Sequence, residues 1–222
     1  SEALGGNQWY LRLLRDEGQV AERLAQLLGS SQYVAGLLTR TPEALRLLAD
    51  DAELEPRGVA ALTKAWRQAA GRAGDPQASM RVLRGLRRQE LLRIACADLL
   101  GRLDVLRVGE ALTDVAVATL QAGLDVALRA QGLDTGTDVA DLPMDMAVIG
   151  MGRLGGGEMG YGSDADVLFV HRPRAGADDA AATAAAGHRR RTVDTQQTDA
   201  CRAVPGDQAS PTTAAPTPIA AR

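Results

Sequence analysis

Residues 144 to 170 impose the tightest constraint on this chain. Met144-Asp145-Met146-Ala147-Val148-Ile149-Gly150 reads as a strand entering a buried sheet. A glycine-dense segment follows, and Ser163-Asp164-Ala165-Asp166 then runs directly into a second apolar strand, expected over 165–171. Two residues apart at a strand start, Asp164 and Asp166 project to one face. Carboxylates so placed repel unless a cation lies between them. Magnesium, a hard ion that keeps water and phosphate oxygens as its other ligands, satisfies them. Ala165, Val167 and Phe169 take the opposite face and anchor the strand in the core. Gly155 and Gly156 lack side chains, so a triphosphate can approach their backbone, and successive N–H groups there can cradle phosphate oxygens. Ser163 adds a hydroxyl donor or caps the turn. The plain alternative is a glycine turn with two surface aspartates, but a tight hairpin needs one or two glycines and this segment has many more.

Other nucleotide motifs fit poorly. No Gly-Lys-Ser/Thr follows the glycines, which excludes a Walker A loop. The glycines lead to Ser-Asp-x-Asp and a strand rather than to a helix, which argues against a dinucleotide fingerprint. A calcium loop fails on spacing and on its twelfth-position Glu.

The rest of the chain reads as helices. Trp9, Leu13, Val20, Leu24 and Leu28 recur near helical spacing, and Gly29 offers a stop. Val34, Leu37 and Leu38 suggest another short helix. Thr41-Pro42-Glu43 is a helix start with Thr as N-cap and Pro in the first turn. A helix is expected over 59–70, another from the Asp75-Pro76 start to about residue 100, and a long one over 105–130. Gly109 and Gly123 either weaken the long helix or mark close helix contacts. Residues 131–137 read as a polar loop. Arg81, Arg84, Arg87, Arg88 and Arg93 are expected on a solvated helix face.

Composition fits this reading. The chain is 45% apolar but only 3% aromatic, so its core must be aliphatic. The net charge of -3, with arginines interleaved among acids, gives no footprint for nucleic acid. With 2 Cys and 2 His, neither a disulfide framework nor a zinc cluster is expected. No leader pattern opens the sequence, and no uninterrupted apolar stretch is expected to span a bilayer. A first residue of Ser is what a fragment would show. From Pro173 onward the chain is rich in Ala, Thr and Pro and holds no Leu, Met, Phe, Tyr or Trp, so disorder is expected there. The organisation expected is α+β: helices over 1–137, a partial sheet unit over 138–173, and a disordered tail over 174–222.

Gly155-Gly156 with Asp164-x-Asp166 resembles the signature of the DNA-polymerase-β-like nucleotidyltransferase superfamily. The longer string Gly152-Arg153-Leu154-Gly155-Gly156-x-Glu158-Met159-x-Tyr161-x-Ser163-Asp164-x-Asp166 is similar to one of its families, the bifunctional glutamine-synthetase adenylyltransferase and adenylyl-removing enzymes. Residues 7–16 and 30–34 resemble the linker before the second catalytic domain of actinobacterial members, and the likeness extends over roughly residues 1–173. It implies an incomplete polymerase-β-like core from the C-terminal, AMP-adding domain. It also implies magnesium on Asp164 and Asp166, ATP phosphates held by Gly155, Gly156 and Ser163, and transfer of AMP from ATP to a tyrosine of glutamine synthetase. Glutamine synthetase is then the partner, the PII signalling protein a further one, and the cytoplasm the location. Glu158 is typical of the family, and a loop-stabilising role suits it.

One family feature is missing. A third carboxylate is expected after a later helix, in a context such as Asp-x-Asp-Leu-Arg-Pro, and no such context follows Pro173. Asp194 and Asp199 occur outside any apolar strand. A truncated or frame-shifted end accounts for this most simply. The competing reading is a helical interaction module with residual nucleotide binding and no catalysis.

Overall fold

The computed structural model describes residues 17–136 and 141–178, together with 12, 14, 15, 138, 180 and the backbone of 217–220. Expected helical positions Trp9 and Leu13 lie outside the described residues.

Helix α1, Gly18–Ser30, buries Val20 and Leu27. It ends one residue beyond the expected glycine stop, because Ser31 serves both sides. The Ser31 N–H donates to Leu27, and its Oγ accepts from the Val34 N–H at 3.3 Å, which opens α2, Gln32–Arg40. The expected helix at Thr41-Pro42 is instead a 3-10 segment, Pro42–Leu48, and Thr41 makes no side-chain cap. Bonds of the i to i+3 type, Ala44 N–H to Thr41 and Ala49 N–H to Arg46, fix the tighter winding. That winding turns Ala44, Leu45, Leu47 and Leu48 into the interior within a few residues. Asp50 then caps the one-turn α3, Asp51–Leu54.

Three longer helices follow. Helix α4 is Val59–Gly71 and α5 is Pro76–Leu99, opened as expected by Asp75, whose carboxylate accepts from Ala78 N–H at 2.7 Å. Helix α6, Val105–Thr135, overruns its expected end. Its stop is Gly136, at φ 65°, whose N–H donates to the Gly132 carbonyl. Residues 131–135 of the expected polar loop thus complete the helix, and Gln131 is buried. Residues Val105–Leu133, although interrupted by Arg107, Glu110, Asp114, Asp125 and Arg129, are long and apolar enough to cross a bilayer, yet 61% of their most apolar window is buried inside the protein. It is a core helix packed on α4 and α5.

Helix α5 lies between two apolar clusters. Met80, Leu83 and Ile94 join Leu62, Trp66 and the inner face of α6. Leu92, Ala95, Cys96 and Ala97 join α1, α2, the 3-10 segment and α3. Each fully buried Leu contributes roughly 1.5–3 kcal/mol relative to exposure. A helix apolar on two sides has no room for a wholly solvated arginine stripe. Arg93 is correspondingly 5% exposed, its Nε donating to Glu90, itself 1% exposed, at 3.1 Å. Arg57 also pairs with Glu90, and Arg84, Arg87 and Arg88 are half-buried.

Strand β1, Met144–Gly150, and strand β2, Val167–Pro173, pair antiparallel from Met144↔Pro173 to Gly150↔Val167. Between them lies the short helix α7, Gly152–Gly156, where the sequence suggested an open glycine loop. Among the described residues the sheet has order β2-β1-β3, with β3, Thr217–Ala220, antiparallel on the other side of β1. These four residues depart from the expected disordered tail, most of which lies outside the described residues. Pro218 is compatible with that place, since an edge strand tolerates a missing N–H. The result is a mostly helical α+β chain with a small antiparallel sheet.

Candidate metal and nucleotide site

The approach to β2 alternates as an extended chain should. Asp164, Asp166 and Leu168 are exposed, whereas Ala165, Val167 and Phe169 are half-buried and pack against the helical core. The apolar residues thus fasten one side of the segment and leave both carboxylates on the other. Strand pairing itself begins only at Val167, so the two aspartates stand just before the ladder rather than in it. Neither carboxylate has a hydrogen-bond or ion-pair partner among the described residues. Two open carboxylates suit a hard cation, which takes oxygen ligands and fills its remaining positions with water or phosphate. No group of three or more His, Cys, Asp or Glu suited to a metal occurs among the described residues. Asp194 and Asp199 lie outside them.

Asp166 is bonded to the glycine segment through its backbone and stands close to it at its carboxylate. The Met151 N–H donates to the Asp166 carbonyl at 2.8 Å. Gly152, at φ 52°, stands so close that a Cβ there would lie 3.1 Å from Asp166 Oδ2. From sequence, Gly152 is only part of the family-like string and carries no role of its own; its left-handed backbone and its closeness to Asp166 reveal one. Gly155 and Gly156 lie further along α7. The Gly155 N–H is engaged within the helix, donating to Met151 at 2.9 Å, while Gly156 is exposed. Leu154 is buried and holds α7 against the core.

Ser163 closes a turn. Its Oγ accepts from the Gly160 N–H at 2.9 Å, and its own N–H donates to the Gly160 carbonyl at 3.1 Å. Arg153 Nη1 reaches the same hydroxyl at 3.3 Å, which brings a cation beside the turn. The Glu158 side is exposed, and its backbone N–H donates to Arg153 at 2.9 Å.

The segment rests on the helices. The Met159 N–H donates to Thr113 Oγ1 of α6 at 3.2 Å, and the Tyr161 hydroxyl donates to Asp98 Oδ2 of α5 at 3.0 Å. The Tyr161 ring lies 5.6 Å from that of Tyr33 on α2, tilted by 59°. Burial, and then the charge of Asp98, push the Tyr161 phenol well above its ordinary value. Neither Thr113 nor Asp98 carries a sequence signal for this role, because each sits in an ordinary helical pattern.

Fold and site together define an α+β protein in which a helical module supports a strand hairpin bearing a glycine segment and paired carboxylates. Residues 21–192 match the family model for glutamate-ammonia ligase adenylyltransferase, and the chain belongs to that family. The match continues past Pro173, where the likeness was expected to end. The chain is 50% identical over 185 residues to the bifunctional glutamine synthetase adenylyltransferase/adenylyl-removing enzyme of Mycobacterium avium (strain 104), covering 82% of this chain and 18% of that protein. The enzyme of the same name from Mycobacterium tuberculosis (strain ATCC 25618 / H37Rv) is 50% identical over 188 residues, with the same coverage. That of Nocardia farcinica (strain IFM 10152) is 48% identical over 185 residues, covering 81% of this chain and 18% of the relative. The chain therefore spans under one fifth of the length of these relatives.

Proposed function

We propose that this chain is the nucleotide- and metal-binding portion of an adenylyltransferase that moves AMP from ATP to a tyrosine of glutamine synthetase in the cytoplasm. The observation that carries the reading is the pair Asp164 and Asp166, open on one side of a segment whose other side is packed into the core. Membership of the family supplies the reaction class. The sheet hairpin is then part of a polymerase-β-like nucleotidyltransferase core, and regulation by the PII signalling protein is a further expectation.

Asp164 and Asp166 would hold magnesium, which when bound neutralises charge developing on the phosphates. Gly155, Gly156 and Ser163 would lie along the triphosphate, with Arg153 beside Ser163 as a compensating cation. The substrate's tyrosyl oxygen forms a bond to the α-phosphorus, the bond from that phosphorus to the pyrophosphate oxygen breaks, and the phenolic proton passes to solvent or to a base. The nucleophile belongs to the protein substrate, so the chain needs no nucleophilic triad of its own.

A second reading, nucleotide binding without transfer, is favoured by the lack of a third ligand near the pair among the described residues. Two carboxylates can hold a metal on a triphosphate, whereas a third would help activate the attacking oxygen, so a site without one would lose more in the transition state than in binding. Calorimetry of ATP with and without magnesium tests the site. The double variant Asp164→Asn, Asp166→Asn should lose the magnesium-dependent part and keep the rest. Unchanged magnesium dependence would overturn the assignment. Label transfer from α-labelled ATP to glutamine synthetase then separates the two readings.

A further inference from the structure

We propose that Tyr161 is a positioning residue: through Asp98 and Tyr33 it fixes the segment carrying Asp164 and Asp166 to the helical module. The inference rests on the reading of that pair as the metal-binding carboxylates.

Tyr161 belongs to the turn that leads into Asp164, yet its ring packs against both apolar clusters of the helical module. It is therefore the point at which a surface turn enters the seam between two cores. Its hydroxyl donates to Asp98 Oδ2 at 3.0 Å, a bond to a carboxylate and so stronger than one between neutral groups. Tyr33 covers the ring from α2. A second attachment reinforces the first. Thr113 Oγ1 donates to Gly109 at 2.7 Å and accepts from the Met159 N–H at 3.2 Å. The turn lies over α6 at Gly109, where a Cβ would make an ordinary contact with Glu158 Cα at 3.6 Å. The turn is thus held by α2, α5 and α6 before the chain emerges at the exposed aspartates.

Strand pairing does not begin until Val167, so the ladder alone does not fix Asp164 and Asp166. What holds them on the upstream side is the Ser163 turn, and that turn is seated by Tyr161 and Met159. A metal-binding pair needs both oxygens placed before the ion arrives, since ordering them on binding costs affinity. The helical module supplies that placement from outside the sheet.

The test uses the full chain and two readouts. In Tyr161→Phe the ring stays and only the hydroxyl goes. Amide exchange at Met159, Gly160 and Ser163 should quicken about tenfold, and the magnesium-dependent part of ATP affinity should fall by about the same factor. ATP binding without magnesium should not change. Asp98→Asn keeps an acceptor oxygen but loses the charge and should fall between wild type and Asp98→Ala, which should match Tyr161→Phe. Thr63→Val provides the control, because it removes the 2.7 Å bond from Thr63 to Gln121 between α4 and α6 without touching the turn. It should lower Tm and leave the magnesium-dependent part intact. Unchanged exchange in Tyr161→Phe, or quicker exchange with undiminished magnesium dependence, overturns the positioning role alone. Wild-type protein with no magnesium-dependent binding overturns the metal reading, and the positioning role with it.

Discussion

Gly152 and Asp166 face each other across the mouth of the hairpin with no room for a side chain between them: a Cβ on Gly152 would lie 3.1 Å from the Asp166 carboxylate oxygen. The residue before Gly152 also donates its N–H to the Asp166 carbonyl at 2.8 Å, so the backbone cannot easily swing away. Gly152→Ala therefore does two things. It places a side chain at φ 52°, at a cost of about 1–2 kcal/mol, and it pushes on Asp166. Gly157→Ala is the matched control, at φ 76° with nothing within 4 Å of its Cβ. Both should lose a few degrees of Tm, roughly 2–4 °C per kcal/mol for a chain of this size. Only Gly152→Ala should weaken the magnesium-dependent part of ATP binding. Equal weakening by both variants would show that the contact with Asp166 has no bearing on the metal.

Glu90 supports a prediction about stability. It is 1% exposed and faces Arg93, 5% exposed, with Arg57 on its other side and Glu53 3.7 Å from Arg93. Burial lowers the affinity of both guanidiniums for their protons, which is the signature of charge held away from water. Glu90→Ala leaves Arg93 buried beside only an exposed acid. The expected loss is about 3–5 kcal/mol, read from urea denaturation. A loss below about 1 kcal/mol would mean that Arg93 escapes to solvent when its partner goes.

The same residues show where sequence reasoning succeeds and where it stops. Asp75-Pro76 announced α5, because capping chemistry is local and complete within a few residues. The alternation of Asp164, Ala165, Asp166, Val167 and Phe169 was legible for the same reason, and Ala165, Val167 and Phe169 do pack on the core. Arg93 was misplaced because a helix between two cores has no single polar face, and the sequence of α5 does not reveal that a second cluster lies behind it. The 3-10 winding after Thr41 escaped too, since Thr-Pro-Glu is equally compatible with either helix. Met159 to Thr113 and Tyr161 to Asp98 are contacts between distant segments, which no local pattern encodes.

Alkaline pH should unfold the chain earlier than its composition suggests. Burial pushes the Cys96 thiol up to about 12 from an ordinary 9.0, and the Tyr161 phenol is raised as well. Each native group holds its proton more tightly than the unfolded group does. The stabilisation is complete below the unfolded value and disappears as pH rises. From about pH 9 upward, Cys96 alone should therefore lower stability by about 1.4 kcal/mol per pH unit until its native value is reached. Above about pH 10 Tyr161 should steepen the decline. Cys96→Ala should remove the first part of the slope and leave the second. Denaturation midpoints from pH 8 to 11 would measure it, and identical slopes in both proteins would refute the assignment to Cys96.

Two glycines flanking the site should respond to alanine with opposite signs. At Gly109, inside α6, a Cβ would meet Glu158 Cα at 3.6 Å and Met159 O at 3.7 Å, both ordinary contacts. Gly109→Ala gains helix propensity without displacing the turn, so it should stabilise by roughly 0.5–1 kcal/mol. At Gly150 the Cβ would lie 3.1 Å and 3.3 Å from two carbons of Leu154. Leu154 is 3% exposed and packed into the helical core, so it has little space to retreat. The neighbouring strands restrict Gly150 as well, since it pairs with Val167 on one side and Thr217 on the other. Gly150→Ala should cost about 1–3 kcal/mol as an overpacked contact. Any relief must come from movement of α7, which would carry Gly152 against or away from Asp166. The substitution should thus reduce magnesium-dependent ATP binding beyond what its loss of stability explains, when measured well below Tm. If Gly150→Ala were as stable as wild type, Leu154 would have another rotamer available, and the close packing of α7 on β1 would not be what sets the distance between the glycine segment and Asp166.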